Sequence, residues 1–254
     1  MMKIAIVTGA SSGIGREYVR QIAEREALDE IWVVARREER LEELKSAIKT
    51  KIVPICVDLC EPRGYEKIRN MLADISPDVR VLVNAAGYGK FGAFDDIELS
   101  EQLGMVELNI NALTKITFHT LPYMSEGAKI FFVGSRSGFH PVPYISVYAA
   151  TKSYVLSFSR AIGKELEKRK ISTIAVCPGW VRTEFFDRAE ENEGVIVYYN
   201  NFVTPEQVVS RSYRDIARGK DVSVCGASTR FQVFLAKLLP HKWVMKIWCK
   251  QQKK

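Results

Sequence analysis

Histidine and cysteine are scarce in this chain of 254 residues, and neither is arranged for metal or disulfide chemistry. The three histidines, His119, His140 and His241, lie far apart. None pairs with Cys, Asp or Glu at ligand spacing, so no metal site is expected. The five cysteines, Cys56, Cys60, Cys177, Cys225 and Cys249, are odd in number and include no CxxC pair. They read as reduced thiols of a cytoplasmic protein rather than a disulfide framework. No stretch reaches the roughly 18 apolar residues of a membrane-spanning helix. The opening MMKIAIVTGA has too short an apolar run for a signal peptide and passes straight into glycine, so it reads as a buried first strand. There is no internal repeat, no low-complexity stretch and no linker before residue 226. Acidic residues are missing from Arg230 to Lys254, a stretch that holds seven of the 37 Lys and Arg; the other 30 balance 30 acids. The net charge of +7 therefore belongs to the tail. A nucleic-acid partner would need a basic face on the domain itself, and none is expected.

What is present is ordinary globular composition, 47% apolar and 26% charged, long enough for one large domain. Short, continuous apolar runs at Lys3–Thr8, Ile31–Ala35, Ile52–Val57, Val81–Asn84, Lys129–Gly134, Ile171–Cys177 and Asp221–Cys225 read as strands covered on both faces. Helical patterns at 14–26, 38–49, 61–74, 98–124, 146–169 and 205–219 alternate with them. The alternation predicts an α/β domain over 1–229, a doubly wound parallel sheet of about seven strands (the Rossmann fold), followed by a basic amphipathic helical tail over 230–254.

Thr8-Gly9-Ala10-Ser11-Ser12-Gly13-Ile14-Gly15 closes the first strand and opens a helix. Glycines there let backbone approach a pyrophosphate, and the helix N-terminus offers free N–H groups. Any tight strand–helix turn can use glycine, but directly after the first strand of a βαβ pattern the signal gains weight. The second strand ends Ala35-Arg36-Arg37. An NAD-binding site places a carboxylate about here, whereas paired guanidinium groups suit the 2′-phosphate of NADP(H). The competing reading makes Arg36 and Arg37 the solvated start of the next helix. Asp58 closes the third strand, as an adenine acceptor or a turn cap. Asn84-Ala85-Ala86-Gly87 closes the fourth: Gly87 would bring backbone close to a cofactor, and Asn84 could tie strands together.

Tyr148 and Lys152 stand four apart early in a predicted helix and so share a face. An ammonium beside a phenol lowers its pKa and makes a general acid/base pair. An ordinary helix also places a tyrosine and a lysine so by chance. Ser135 lies thirteen residues before Tyr148, where its hydroxyl could hold a substrate oxygen; Ser137 competes for that place. Gly134-Ser135-Arg136-Ser137-Gly138 puts Arg136 at the centre where a hydrolase elbow needs serine, so that reading is weak.

Together, in this order and spacing, these motifs resemble the short-chain dehydrogenase/reductase family in its one-domain form, over about residues 3–226. The resemblance implies that the glycine motif, Asp58, Asn84, Ala85 and Gly87 serve the cofactor. It implies a catalytic set of Asn109, Ser135, Tyr148 and Lys152, with Asn111 the less favoured alternative to Asn109 by register. Pro178-Gly179, Val181 and Thr183 would touch the cofactor. Asn84-Ala85-Ala86-Gly87 departs mildly from the family's Asn-Asn-Ala-Gly. The implied activity is an NADP(H)-dependent interconversion of a carbonyl and an alcohol, with Ser135 holding the oxygen and Tyr148 moving its proton. Lys152 would tune Tyr148 and hold the nicotinamide ribose, and Asn109 would anchor a relay water. Homodimers or homotetramers are expected. The alternatives are a non-catalytic NADP(H) sensor, which need not keep the four residues, and an extended epimerase, which needs a longer C-terminal domain.

Residues 183–203 fall where that family varies its substrate lid. Phe185, Phe186, Tyr198, Tyr199 and Phe202, with Trp180, Phe139 and Tyr144, either wall an apolar pocket for a steroid-like or lipid-like substrate or pack the lid. Pro240 is expected to split the tail into two short helices. Phe231, Phe234, Leu235, Leu238, Leu239, Trp243, Val244, Ile247 and Trp248 form its apolar faces, opposite basic charge alone. The pattern fits peripheral membrane contact, or docking on the domain or a neighbouring subunit.

Overall fold

The computed structural model describes residues 1–189, 195–199 and 201–254. Among them, β1 (Lys3–Thr8), β2 (Glu30–Ala35), β3 (Lys51–Cys56), β4 (Asp78–Asn84), β5 (Lys129–Val133), β6 (Ser172–Val176) and β7 (Val222–Ser223) form one parallel sheet in the order β3-β2-β1-β4-β5-β6-β7. Helices α1 (Gly13–Arg25), α2 (Glu38–Ala47), α3 (Pro62–Ile75), α4 (Leu99–Val106), α5 (Leu113–Thr120), α6 (Ser146–Leu166) and α8 (Pro205–Ile216) flank it. Shorter or later helices are α7 (Phe185–Ala189), α9 (Ala227–Leu238) and α10 (His241–Gln251).

The uninterrupted apolar runs are explained by burial on both sides. Ile4, Ile6, Trp32, Val34, Leu82, Ile130 and Phe132 pack on one face with α3, α5 and α6. Their neighbours Ala5, Val7, Ile31, Val33, Val81, Val83 and Phe131 pack on the other with α1, α2 and α8. The chain leaves β1 toward β2 and β3, then returns to the other side at β4. Thr8 consequently pairs with Val34 on one flank and Asn84 on the other. This reversal leaves a crevice beyond the strand C-termini, the usual ligand position in such sheets.

Two expectations change. The helical pattern at 98–124 is not one helix: a π turn at Glu107–Ala112 separates α4 from α5, and a tight 3₁₀ turn at Leu121–Tyr123 containing Pro122 follows. A π turn inserts one extra residue per turn and barely disturbs the apolar spacing, so it is invisible to periodicity. The last strand shrinks from five expected residues to Val222–Ser223, because β7 is an edge paired only with Ala175 and Val176 of β6. Pro240 does separate α9 from α10, and residue 230 falls inside α9.

Candidate active site

The strand C-termini open into a cavity of about 580 Å³. Of the expected catalytic and cofactor residues, all but Asn84 and Asn109 line it; of the expected substrate wall, Trp180, Phe185 and Phe186 do, and Phe139, Tyr144, Tyr198, Tyr199 and Phe202 do not. The glycine turn after β1 has no room for side chains. Gly9 has φ of 69°, and a Cβ there would come within 2.8 Å of the Ala85 carbonyl; one on Gly15 would strike the Gly9 oxygen at 2.2 Å. Backbone is thereby laid bare to the cavity. Ser12 caps α1 without a side-chain hydrogen bond, which leaves first-turn N–H groups for a ligand. Cradle and dipole together fit a pyrophosphate. Thr8, the first residue of the glycine motif, holds the opposite wall: its Oγ1 accepts from the N–H groups of Ala85 and Ala86 at 3.1 Å and donates to the Val83 carbonyl.

At the end of β2, Arg37 donates to Ser11 Oγ (3.1 Å) and pairs with Glu184 at 2.7 Å. Arg36 faces Asp58 at 3.5 Å. Asp58 also accepts from the Cys60 N–H, so it caps its turn and meets a guanidinium at once. Both arginines are thus held at the cavity edge by carboxylates, one of them from the segment just before α7. Asn84 departs from its expected place. It is buried, and its Nδ2 donates to Thr117 Oγ1 on α5 at 3.1 Å, so it ties β4 to a helix rather than facing the cavity.

Asn109 sits in the π turn, 1% exposed. Its Oδ1 accepts from the Tyr88 N–H, and its Nδ2 donates to the Tyr88 carbonyl (2.9 Å) and to Thr151 Oγ1 (3.0 Å). Asn111 instead bonds Glu107 at the surface. A Cβ on Gly87 would lie 2.8 Å from Asn109 Oδ1 and 3.4 Å from Lys152 Nζ. Glycine at 87 is therefore needed for these two side chains to converge, beyond any contact with a ligand.

Tyr148 and Lys152 share one face of α6. Lys152 is buried; its Nζ donates to the Val133 carbonyl (2.8 Å) and stands 5.7 Å from the Tyr148 ring centre. Burial dominates both groups: it raises Tyr148 up to about 12, opposed by the neighbouring Ser135 hydroxyl, and lowers Lys152 to about 8. The expected lowering of the phenol by the ammonium is not what sets the direction: desolvation does, and the opposing pull comes from Ser135. Ser135 caps the short turn Arg136–Phe139, and its Oγ accepts from both the N–H and the Oγ of Ser137. Ser137 thus holds the Ser135 hydroxyl, and both line the cavity.

A third apolar cluster roofs the cavity. Phe91, Trp180, Phe185 and Phe186 line it, and Tyr148 contacts Phe185 ring to ring at 5.6 Å. Tyr199 and Phe202 pack behind Trp180 and Phe186. Phe139 lies under Lys237 and Tyr144 under Lys254, while Tyr198 is exposed. Residues 190–194 and 200 of the expected lid lie outside the described residues. The tail contributes a wall residue that the sequence did not reveal. Trp248 of α10 lines the cavity and donates from Nε1 to the Pro143 carbonyl at 3.0 Å. Further on, Gln252 Oε1 accepts from the N–H groups of Val197 and Tyr198. Arg136 and His140 also line the cavity and went unassigned.

A seven-stranded parallel sheet with a glycine cradle at its switch point defines a Rossmann-like α/β protein. The chain belongs to the short-chain dehydrogenase family of oxidoreductases: the family model described as short chain dehydrogenase matches residues 3–194. It is 34% identical over 193 residues to a very-long-chain 3-oxoacyl-CoA reductase-B of Danio rerio, covering 72% of this chain and 60% of that one. It is 31% identical to sulfoacetaldehyde reductase 2 of Chromohalobacter salexigens, covering 73% and 75%. Among solved structures, a short-chain dehydrogenase from Sphingobium yanoikuyae in complex with NADPH superposes with a TM-score of 0.79 at 25% identity, over 96% of each chain.

Proposed function

We propose that this protein is an NADP(H)-dependent oxidoreductase that interconverts a carbonyl and a secondary alcohol on a bulky, largely apolar substrate. The observation that carries the reading is the convergence of Ser135, Tyr148 and Lys152 on one cavity whose other end is the glycine cradle. The nicotinamide, when bound, supplies or takes the hydride. Ser135, steadied by Ser137, holds the carbonyl oxygen. Tyr148 protonates that oxygen in the reducing direction; held up at about 12, it carries its proton throughout the neutral range. Lys152 brings positive charge beneath the Tyr148 ring and hydrogen-bonds the ribose side of the cofactor. Asn109 holds the Tyr88 backbone, next to the glycine whose missing side chain leaves room for Lys152 Nζ.

Arg36 and Arg37 at the end of β2 support NADP(H) over NAD(H), since a 2′-phosphate can take over the contacts now made by Asp58 and Glu184. The aromatic wall supports an apolar substrate. Exposed Phe94, Leu99, Leu103 and Phe118 on and before α4 and α5 support a homodimer or homotetramer. A cytoplasmic protein in peripheral contact with membrane fits the tail, whose exposed side is apolar and basic.

The test is reduction of a panel of bulky and small ketones, followed as NADPH consumption. Turnover of bulky ketones by the native chain and its collapse in Tyr148→Phe, with NADPH binding retained, is the expected result. Substantial activity in Tyr148→Phe would overturn the assignment.

A further inference from the structure

The cavity wall beside Ser135 carries a positive charge that the protein does not neutralise. Arg136 follows Ser135 directly, its backbone N–H is taken by the Pro178 carbonyl (2.8 Å), and its side chain lines the cavity. The guanidinium donates from Nη1 to Gln232 Oε1 of α9 and stands 5.7 Å from the Trp180 ring centre. Gln232 and Trp180 fix its direction without carrying charge. Among the described residues no carboxylate comes within ion-pair distance of it, although the arginines at the cofactor end, Arg36 and Arg37, each have one. The surroundings add cations. Lys237 lies over the Phe139 ring, again with no ion pair among the described residues. His140 is held low by burial, with Arg136 and His241 pushing the same way, so it adds no counter-charge. Burial also lowers Arg136 itself, but a guanidinium keeps its proton in proteins.

A desolvated guanidinium with no counter-charge is costly, and most of its donors are unspent. Such a group is explained by a ligand that brings the missing anion. We propose that Arg136 forms an anion subsite at the substrate end of the cavity, so that the substrate joins an apolar body to a carboxylate or similar oxyanion. The proposal rests on the reading of this cavity as the seat of a carbonyl substrate, and deepens it. The aromatic wall takes the body, Ser135 and Tyr148 take the carbonyl, and Arg136 takes the charge. Arg136 is then a specificity residue that acts on binding and leaves the chemical step alone.

Two measurements test it. In the first, isothermal titration with 2-naphthylacetate and its uncharged primary amide is run on the NADP⁺-loaded protein. The native chain is expected to bind the carboxylate at least about tenfold more tightly, a difference typical of one charge-assisted contact. Arg136→Gln loses that preference, and Arg136→Lys and Gln232→Ala, which keep the charge but loosen its direction, each keep part of it. In the second, 4-oxo-4-phenylbutanoate is compared with its methyl ester in NADPH consumption. The acid is favoured through KM, and Arg136→Gln raises KM for the acid several-fold more than KM for the ester. Equal binding of acid and amide by the native chain, or a preference that survives in Arg136→Gln, overturns the subsite. Reduction of the ester without preference for the acid removes the subsite and keeps the oxidoreductase. Selective binding of the carboxylate without reduction of either compound does the reverse.

Discussion

Tyr148 and Lys152 are both driven toward their neutral forms by burial, and this has a consequence in pH. Lys152, lowered from 10.5 to about 8, is an ammonium below that value and loses its charge as pH rises through it. Tyr148 remains a proton donor across the same range. For the reducing direction, kcat/KM for NADPH, which reports the free protein, is expected to be level below pH of about 8 and to fall above it. In Lys152→Met that break disappears together with most activity. Tyr148→Phe lowers kcat by on the order of 10²–10⁴. At the cofactor end, Glu184→Gln releases Arg37 from its 2.7 Å pair. The expected outcome is a several-fold lower KM for NADPH with little change for NADH, read from initial rates. Tyr148, Lys152 and Arg37 were legible in the sequence from their order and spacing along the chain, whereas Glu184 was not. Three others were not: Asn84 turns to Thr117 on a helix thirty-three positions away, Thr8 bridges to the β4 turn, and Trp248 arrives from the far end of the chain. Each depends on packing between distant segments, which local spacing does not encode.

At the scale of elements, most strands and helices followed from the alternation of apolar runs with helical patterns, and the irregular pieces did not. The π turn at Glu107–Ala112 is what rotates Asn109 inward toward Tyr88 and Thr151 while Asn111 meets Glu107 outside. The five residues of α7 are too few to show a period at all. Helix α8 has a complete capping box, Thr204 with Gln207, after which Pro205 takes the first helical position. Thr204→Ala is expected to lower stability by about 1 kcal/mol in urea unfolding without changing turnover. Helix α10 offers the sharper test. Trp248→Ala removes a wall of the cavity and its hydrogen bond to Pro143. KM for bulky ketones rises and KM for NADPH does not, because no residue of α10 other than Trp248 lines the cavity among those described.

The whole molecule is electrically neutral apart from its tail, and the tail has two sides. Val233, Ala236 and Trp248 are buried against the domain, while Phe231, Phe234, Leu238, Trp243 and Ile247 are each more than half exposed. Arg230, Lys242, Lys246 and Lys250 accompany them, also exposed. No helix among the described residues is long and apolar enough to cross a membrane. An apolar stripe bordered only by cations suits the surface of an anionic bilayer. Co-sedimentation with phosphatidylserine vesicles, weakened by salt and by Phe234→Ser with Trp243→Ser, and absent with phosphatidylcholine, is the expected result. A loss of self-association in that double variant, with no vesicle binding in the native chain, would make the stripe a subunit contact instead. Trp248 and Gln252 also carry a practical lesson for anyone preparing the protein. Anything fused directly behind Lys254 hangs two residues from the hook that holds Val197 and Tyr198, so an affinity handle belongs ahead of Met1, which stands free in solvent.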